Sequence, residues 1–92
     1  MYLVEVYVPR SHAREARASG RRARAAAEEL ARESVSIRYV RTTFLPDDET
    51  CFHLFEASSA EVVEVASSRA ELGRTRVMAA VEASETNGES RT

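Results

Sequence analysis

The sequence predicts an α+β domain in the order β-α-β-β-α-β, a four-stranded antiparallel sheet with two helices on one face. Three observations predict it. Residues 2–8 alternate with a period of two, as a half-buried strand does. Two apolar runs, 35–45 and 50–56, flank the acidic turn Pro46-Asp47-Asp48-Glu49 and read as a long hairpin. A stretch rich in Ala, Arg and Glu precedes that hairpin, and a shorter capped stretch follows it.

In the first strand Val4, Val6 and Val8 point one way with Tyr2, while Leu3, Glu5 and Tyr7 point the other. The Val row suits a core, and the mixed row suits a ligand surface or a wet interface. Pro9-Arg10 breaks the strand, and Ser11 is placed to cap a helix reaching Glu33. Ala13, Ala16, Gly20, Ala23, Ala27 and Leu30 recur at helical spacing, so one face of that helix is almost entirely small and can sit close on a sheet. Arg14, Arg17, Arg21 and Arg24 form a neighbouring stripe, read as a solvated face paired in part with Glu28 and Glu29, with an anion or phosphate site as the alternative that no Gly-rich or aromatic segment supports.

In the hairpin Ile37, Tyr39, Val40, Thr42, Thr43 and Phe44 favour strand, and imperfect alternation points to a β-bulge. Arg38 and Arg41 fall on opposite faces if the strand is regular. In the second arm Phe52 and Leu54 share one face, and Cys51, His53 and Phe55 share the other. Ser58 and Glu61 have capping-box spacing ahead of Val62, Val63, Ala66 and Ala70, and Gly73 ends that helix. Residues 75–81 read as the last strand and 84–92 as a polar, structureless tail, so the domain is 1–83. This order is the split βαβ, or ferredoxin-like, arrangement, with first and third strands as central neighbours.

Composition bounds the function. The chain has 92 residues, 43% hydrophobic and 30% charged, as for one small globular domain with a thin core. Its net charge of -2 gives no bulk attraction to nucleic acid or to an anionic membrane. Its 13 basic residues are all Arg. The single Cys51 excludes an intrachain disulfide and a Cys-only zinc site. Neither a signal pattern nor a membrane-length apolar run is present, so the cytoplasm is the expected location.

With Phe52 and Leu54 placed under the helices beside the Val row, Glu5, Tyr7, Cys51, His53 and Phe55 share the bare face of the sheet. Glu5 could orient His53 or act as a base, His53 could move a proton near neutrality, and Tyr7 would flank them. Glu5 and His53 could equally hydrogen-bond across a subunit interface. Arg38, Tyr39, Arg41, Cys51 and Phe55 are the ligand-binding candidates. Cys51 and His53, two apart on one strand, are also metal-ligand types that Glu5 or a second subunit would have to complete.

Tyr2-Leu3-Val4-Glu5, Ile37-Arg38-Tyr39-Val40-Arg41-Thr42 and Phe55-Glu56-Ala57-Ser58-Ser59 resemble a family of small, largely actinobacterial ferredoxin-like proteins labelled nickel-binding or of unknown function. The resemblance spans about residues 2–82. It implies a dimeric α/β sandwich or α+β barrel, with Ni(II) as the metal if one is bound. Tyr39 stands where that family tends to have Trp, and His53 where it tends to have Cys. The same architecture resembles cofactor-independent isomerases, cyclases and small monooxygenases, which implies acid/base chemistry on a small organic substrate. The expectation is a homodimer that binds a small organic ligand or a divalent metal in a pocket formed with the sheet, with such an enzyme as the alternative.

Overall fold

The computed structural model describes residues 1–81 and 83; the tail expected over 84–92 lies outside them. The elements are β1 (Tyr2–Tyr7), α1 (Ala13–Arg32), β2 (Ile37–Leu45), a 3-10 turn (Pro46–Asp48), β3 (Thr50–Ala57), α2 (Ala60–Arg69) and β4 (Thr75–Ala79). The sheet order is β2-β3-β1-β4 with every neighbour antiparallel, so β1 and β3 are central. This is the ferredoxin-like α+β fold. Among the described residues no helix is long and apolar enough to cross a membrane.

Both helices cover one face. Val4, Val6 and Val8 of the first strand and its extension pack with Ala16, Ala23, Ala26, Ala27 and Leu30 of α1 and with Val63 and Ala66 of α2 in one core. α1 lies mainly over β2, and α2 over β4 and the central strands. The small residues of α1 are what allow this approach. The closest point is Gly20, where an added Cβ would stand 2.8 Å from Thr42 Oγ1 and 3.3 Å from Thr42 Cβ. Glycine inside a helix costs about 0.5–1 kcal/mol relative to alanine, and here it is the only residue that fits.

The caps differ in detail from the sequence expectation. His12, not Ser11, is the N-cap residue of α1, and no side chain caps it. Ser59, not Ser58, caps α2 by accepting from the Val62 amide at 3.3 Å. Both helices end on non-glycine residues in the left-handed region, Ser34 (φ 70) and Glu71 (φ 55). In each case two backbone bonds close the end: Ser34 N to Ala31 O and Val35 N to Leu30 O at 3.0 Å each, then Glu71 N to Ser68 O at 3.1 Å and Leu72 N to Ser67 O at 3.2 Å. Gly73 (φ 82) lies beyond the second stop and shapes the entry to β4.

The expected bulge falls at Val40. Tyr39 pairs with Phe55 and Arg41 with Leu54, which leaves Val40 as the extra residue. The bulge puts Tyr39 and Thr42 on the helix side. It also puts Arg38 and Arg41 together on the open side, rather than on opposite faces.

The facing of β3 is the main correction. Val4 lies directly opposite His53 and Val6 opposite Cys51, and directly opposed residues share a face. Cys51, His53 and Phe55 therefore lie under the helices, each 0% exposed. Phe52 and Leu54 lie on the open face, opposite Glu5 and Leu3. Both rows of β3 carry bulky apolar residues, so alternation alone left the choice to the one polar side chain, His53. That residue finds polar partners inside.

Ser34 is exposed and its φ suits glycine better. Ser34→Gly is expected to raise stability by about 0.5–1 kcal/mol, as relief of a left-handed Cβ does. Urea unfolding would check this, and an unchanged midpoint would mean that the strain at Ser34 is already relaxed.

Candidate functional site

The helix side of β2 and β3 carries a chain of polar groups in an otherwise apolar core. Thr42 and His53 are direct cross-strand partners. The bulge brings Tyr39 beside them, and α1 lowers Ser19 onto the far side of the imidazole. Tyr39 Oη lies 2.6 Å from Thr42 Oγ1, and Thr42 Oγ1 lies 2.8 Å from His53 Nδ1. His53 Nε2 lies 3.3 Å from Ser19 Oγ, which donates to the Ala16 carbonyl at 2.8 Å. Tyr39 also packs edge-on against Phe55, with centroids 5.9 Å apart and planes at 74°.

Burial pushes the His53 pKa down from 6.5 to about 4, with a smaller push from the Arg22 guanidinium. His53 is thus a neutral imidazole at physiological pH. Arg22 is held in place by the end of α2, donating to the Ala70 carbonyl at 2.8 Å, and by Glu15 at 3.1 Å. Burial also raises the Cys51 thiol, opposed in smaller part by the neighbouring Ser19, so the thiol stays protonated near neutrality.

Outward from this chain, a groove of about 510 Å³ opens between α1 and β2. Ala13, Ala16 and Gly20 form its helix wall, Tyr39, Val40, Thr42 and Phe44 its strand wall, and Arg17, Arg21, Arg24 and Arg41 border it. Its volume is that of a small-molecule site. Arg24 is paired with Glu28 at 3.2 Å. Among the described residues no ion pair engages Arg17, Arg21 or Arg41.

The residues singled out from the sequence separate into three places. Tyr39 lines the groove from the helix side, and Arg41, in register with the open-face row, borders it at the edge of the sheet. Cys51, His53 and Phe55 form the core beneath it. Glu5, Tyr7 and Arg38 lie on the open face of the sheet. There Glu5 faces Arg76 at 3.5 Å, Arg38 pairs with Glu56 at 2.9 Å, and Tyr7 is 67% exposed. The expected Glu5–His53 proton pair is therefore excluded, because the sheet stands between them. The metal set fails for the same reason. Glu5 lies across the sheet, both imidazole nitrogens are within hydrogen-bond reach of hydroxyls, and full burial keeps His53 from a second subunit. Among the described residues no three His, Cys, Asp or Glu side chains are grouped to hold a metal, so these residues do not fit a nickel site.

Sequence reasoning passed over Ser19, Thr42 as a polar group, and the groove itself. Ser19 was visible as a position: it stands three after Ala16 and four before Ala23, inside the small-residue stripe. No family model, no curated protein and no solved structure matches this chain.

A neutral native His53 takes up no proton until about pH 4, whereas the unfolded imidazole titrates near 6.5. The stability this residue contributes is therefore complete above pH 6.5 and is lost as pH falls toward about 4, by on the order of 3 kcal/mol in all. Urea unfolding of the wild type and His53→Gln at about pH 7 and about pH 4.5 should show a steeper loss for the wild type, by about 2–3 kcal/mol. Parallel losses would mean that His53 is already charged in the native state.

Proposed function

We propose that this chain is a small homodimeric binding protein that holds an organic anion in the groove between α1 and β2. The observation that carries this reading is the pairing of Arg17 and Arg21, in no ion pair among the described residues, with an apolar wall that ends in the Tyr39 and Thr42 hydroxyls. Guanidinium groups at the rim suit a carboxylate or phosphate. The apolar wall of Val40 and Phe44 suits a hydrocarbon or aromatic body. The mid-helix glycine and the bulge shape the strand wall at the point where these features meet.

The dimer has its own support. The open face of the sheet exposes Leu45 and Tyr7 and carries Leu3, Phe52 and Met78, each half-buried. The Arg38–Glu56 and Glu5–Arg76 pairs lie on the same face. An apolar face that also carries pairs of opposite charge can meet its own copy about a two-fold axis. The groove lies on the other side of the sheet and stays accessible in such a dimer.

Benzoate is a suitable first probe. Calorimetric titration at low salt should give saturable binding of benzoate and none of neutral benzamide. The double variant Arg17→Gln/Arg21→Gln should weaken benzoate by roughly tenfold or more, the scale of two partly exposed charge contacts. Benzamide binding as well as benzoate, or a double variant as good as wild type, would remove the anion reading. Independently, sedimentation should give a dimer that Phe52→Glu converts to a folded monomer. A wild-type monomer at high protein concentration would remove the dimer.

A further inference from the structure

The groove reading leaves open what the anion carries at its other end, and hydrogen-bond bookkeeping in the core answers that. Each hydroxyl has one proton to give. The Ser19 proton is committed to the Ala16 carbonyl at 2.8 Å, so toward His53 the Ser19 oxygen can only accept. His53 Nε2 must then carry the hydrogen. The other neighbour of Nε2 is the Cys51 sulfur at 3.9 Å, a long and weak partner.

With the hydrogen on Nε2, the neutral imidazole presents a lone pair at Nδ1, which takes the Thr42 proton at 2.8 Å. The Thr42 oxygen in turn takes the Tyr39 proton at 2.6 Å. Every donor in the row points inward, from Tyr39 to the Ala16 carbonyl. Burial and the nearby Arg22 charge keep a second proton off the ring, which holds this polarity at neutral pH. Tyr39 Oη is left with its proton engaged and a lone pair toward the groove.

We infer that the groove selects organic anions that bear a hydroxyl or N–H donor, the donor bonding to Tyr39 Oη while the acid meets the Arg17 and Arg21 rim. This deepens, and rests on, the reading of the groove as an anion site. Ligand classes that fit are aromatic or aliphatic hydroxy acids and amino acids acylated or arylated at nitrogen with an N–H retained. An ether or ester at the same position would set two acceptors against each other and strand both. In this arrangement His53 and Ser19 are positioning residues. They touch no ligand and act by fixing which way Tyr39 turns its proton.

Two measurements on the intact protein test it together. Nitrogen NMR of His53 reads the tautomer directly at neutral pH without any ligand. Calorimetry compares 4-hydroxybenzoate, 4-methoxybenzoate and benzoate on wild type and Tyr39→Phe. The expected result is an Nε2–H tautomer, with 4-hydroxybenzoate roughly tenfold tighter than 4-methoxybenzoate, the scale of one buried hydrogen bond. Tyr39→Phe should abolish that preference, bringing the affinities of the hydroxy and methoxy acids together. A hydrogen on Nδ1 overturns the inference whatever binds, because Tyr39 would then turn its proton outward. Equal affinity for the hydroxy and methoxy acids overturns it with the tautomer intact. Benzoate failing to bind at all overturns the parent anion reading and this selectivity with it, which the benzoate arm separates from a failure of the relay alone.

Discussion

Burying an imidazole in an apolar core is tolerable only if both its nitrogens find partners, and much of this molecule's upper layer is arranged to supply them. An unsatisfied nitrogen would cost about 1–3 kcal/mol, a sizeable part of what a domain this small can hold. One partner comes from the neighbouring strand and one from the helix. The helix must therefore sit low enough for a serine to reach the ring, which demands small side chains along that face and no side chain at Gly20. The strand must present two hydroxyls three residues apart on one face, which a regular strand cannot do. The extra residue at Val40 makes it possible. Glycine, bulge, serine and histidine thus answer one requirement.

The same requirement explains the electrostatics. A charged His53 would face burial and Arg22 together, so the ring stays neutral and its hydrogen-bond pattern stays fixed. Polar rows in cores gain from the low local dielectric when every member is satisfied and fail badly when one is not. Here the row is satisfied at its inner end by a helix carbonyl, and its outer end emerges at the groove.

The element order and the central pairing of β1 with β3 were legible in the sequence because alternation, capping residues and turn residues agree there. The bulge was legible too, since no regular facing accommodates Ile37, Tyr39 and Phe44 together. What alternation could not decide was the facing of β3. Phe52 with Leu54 and Phe55 with Cys51 are both acceptable core rows. Treating His53 as a surface residue tipped the choice toward the wrong one. That single inversion placed Glu5 and Tyr7 beside His53, from which the sheet separates them, and drew attention away from the groove between α1 and β2. The groove was also out of reach because it depends on how far a helix overhangs an edge strand, a distance no residue pattern encodes. Tyr39 and Arg41 were named for other reasons and turn out to border it.

The unpaired residue at Val40 has one more effect, on the outside of the molecule. β2 is the longer of the two edge strands, nine residues against five for β4. A long, flat, exposed edge is a template on which another chain can add a strand, the first step of amyloid-like stacking. A bulge in its middle bends the edge and takes its backbone groups out of line, and Arg38 and Arg41 flank the break. The residue that orders the interior hydroxyls therefore also blunts self-templating at the molecule's rim. A variant that regularised β2 would lose the ordered hydroxyl row and the broken edge at once, and would be expected to aggregate more readily.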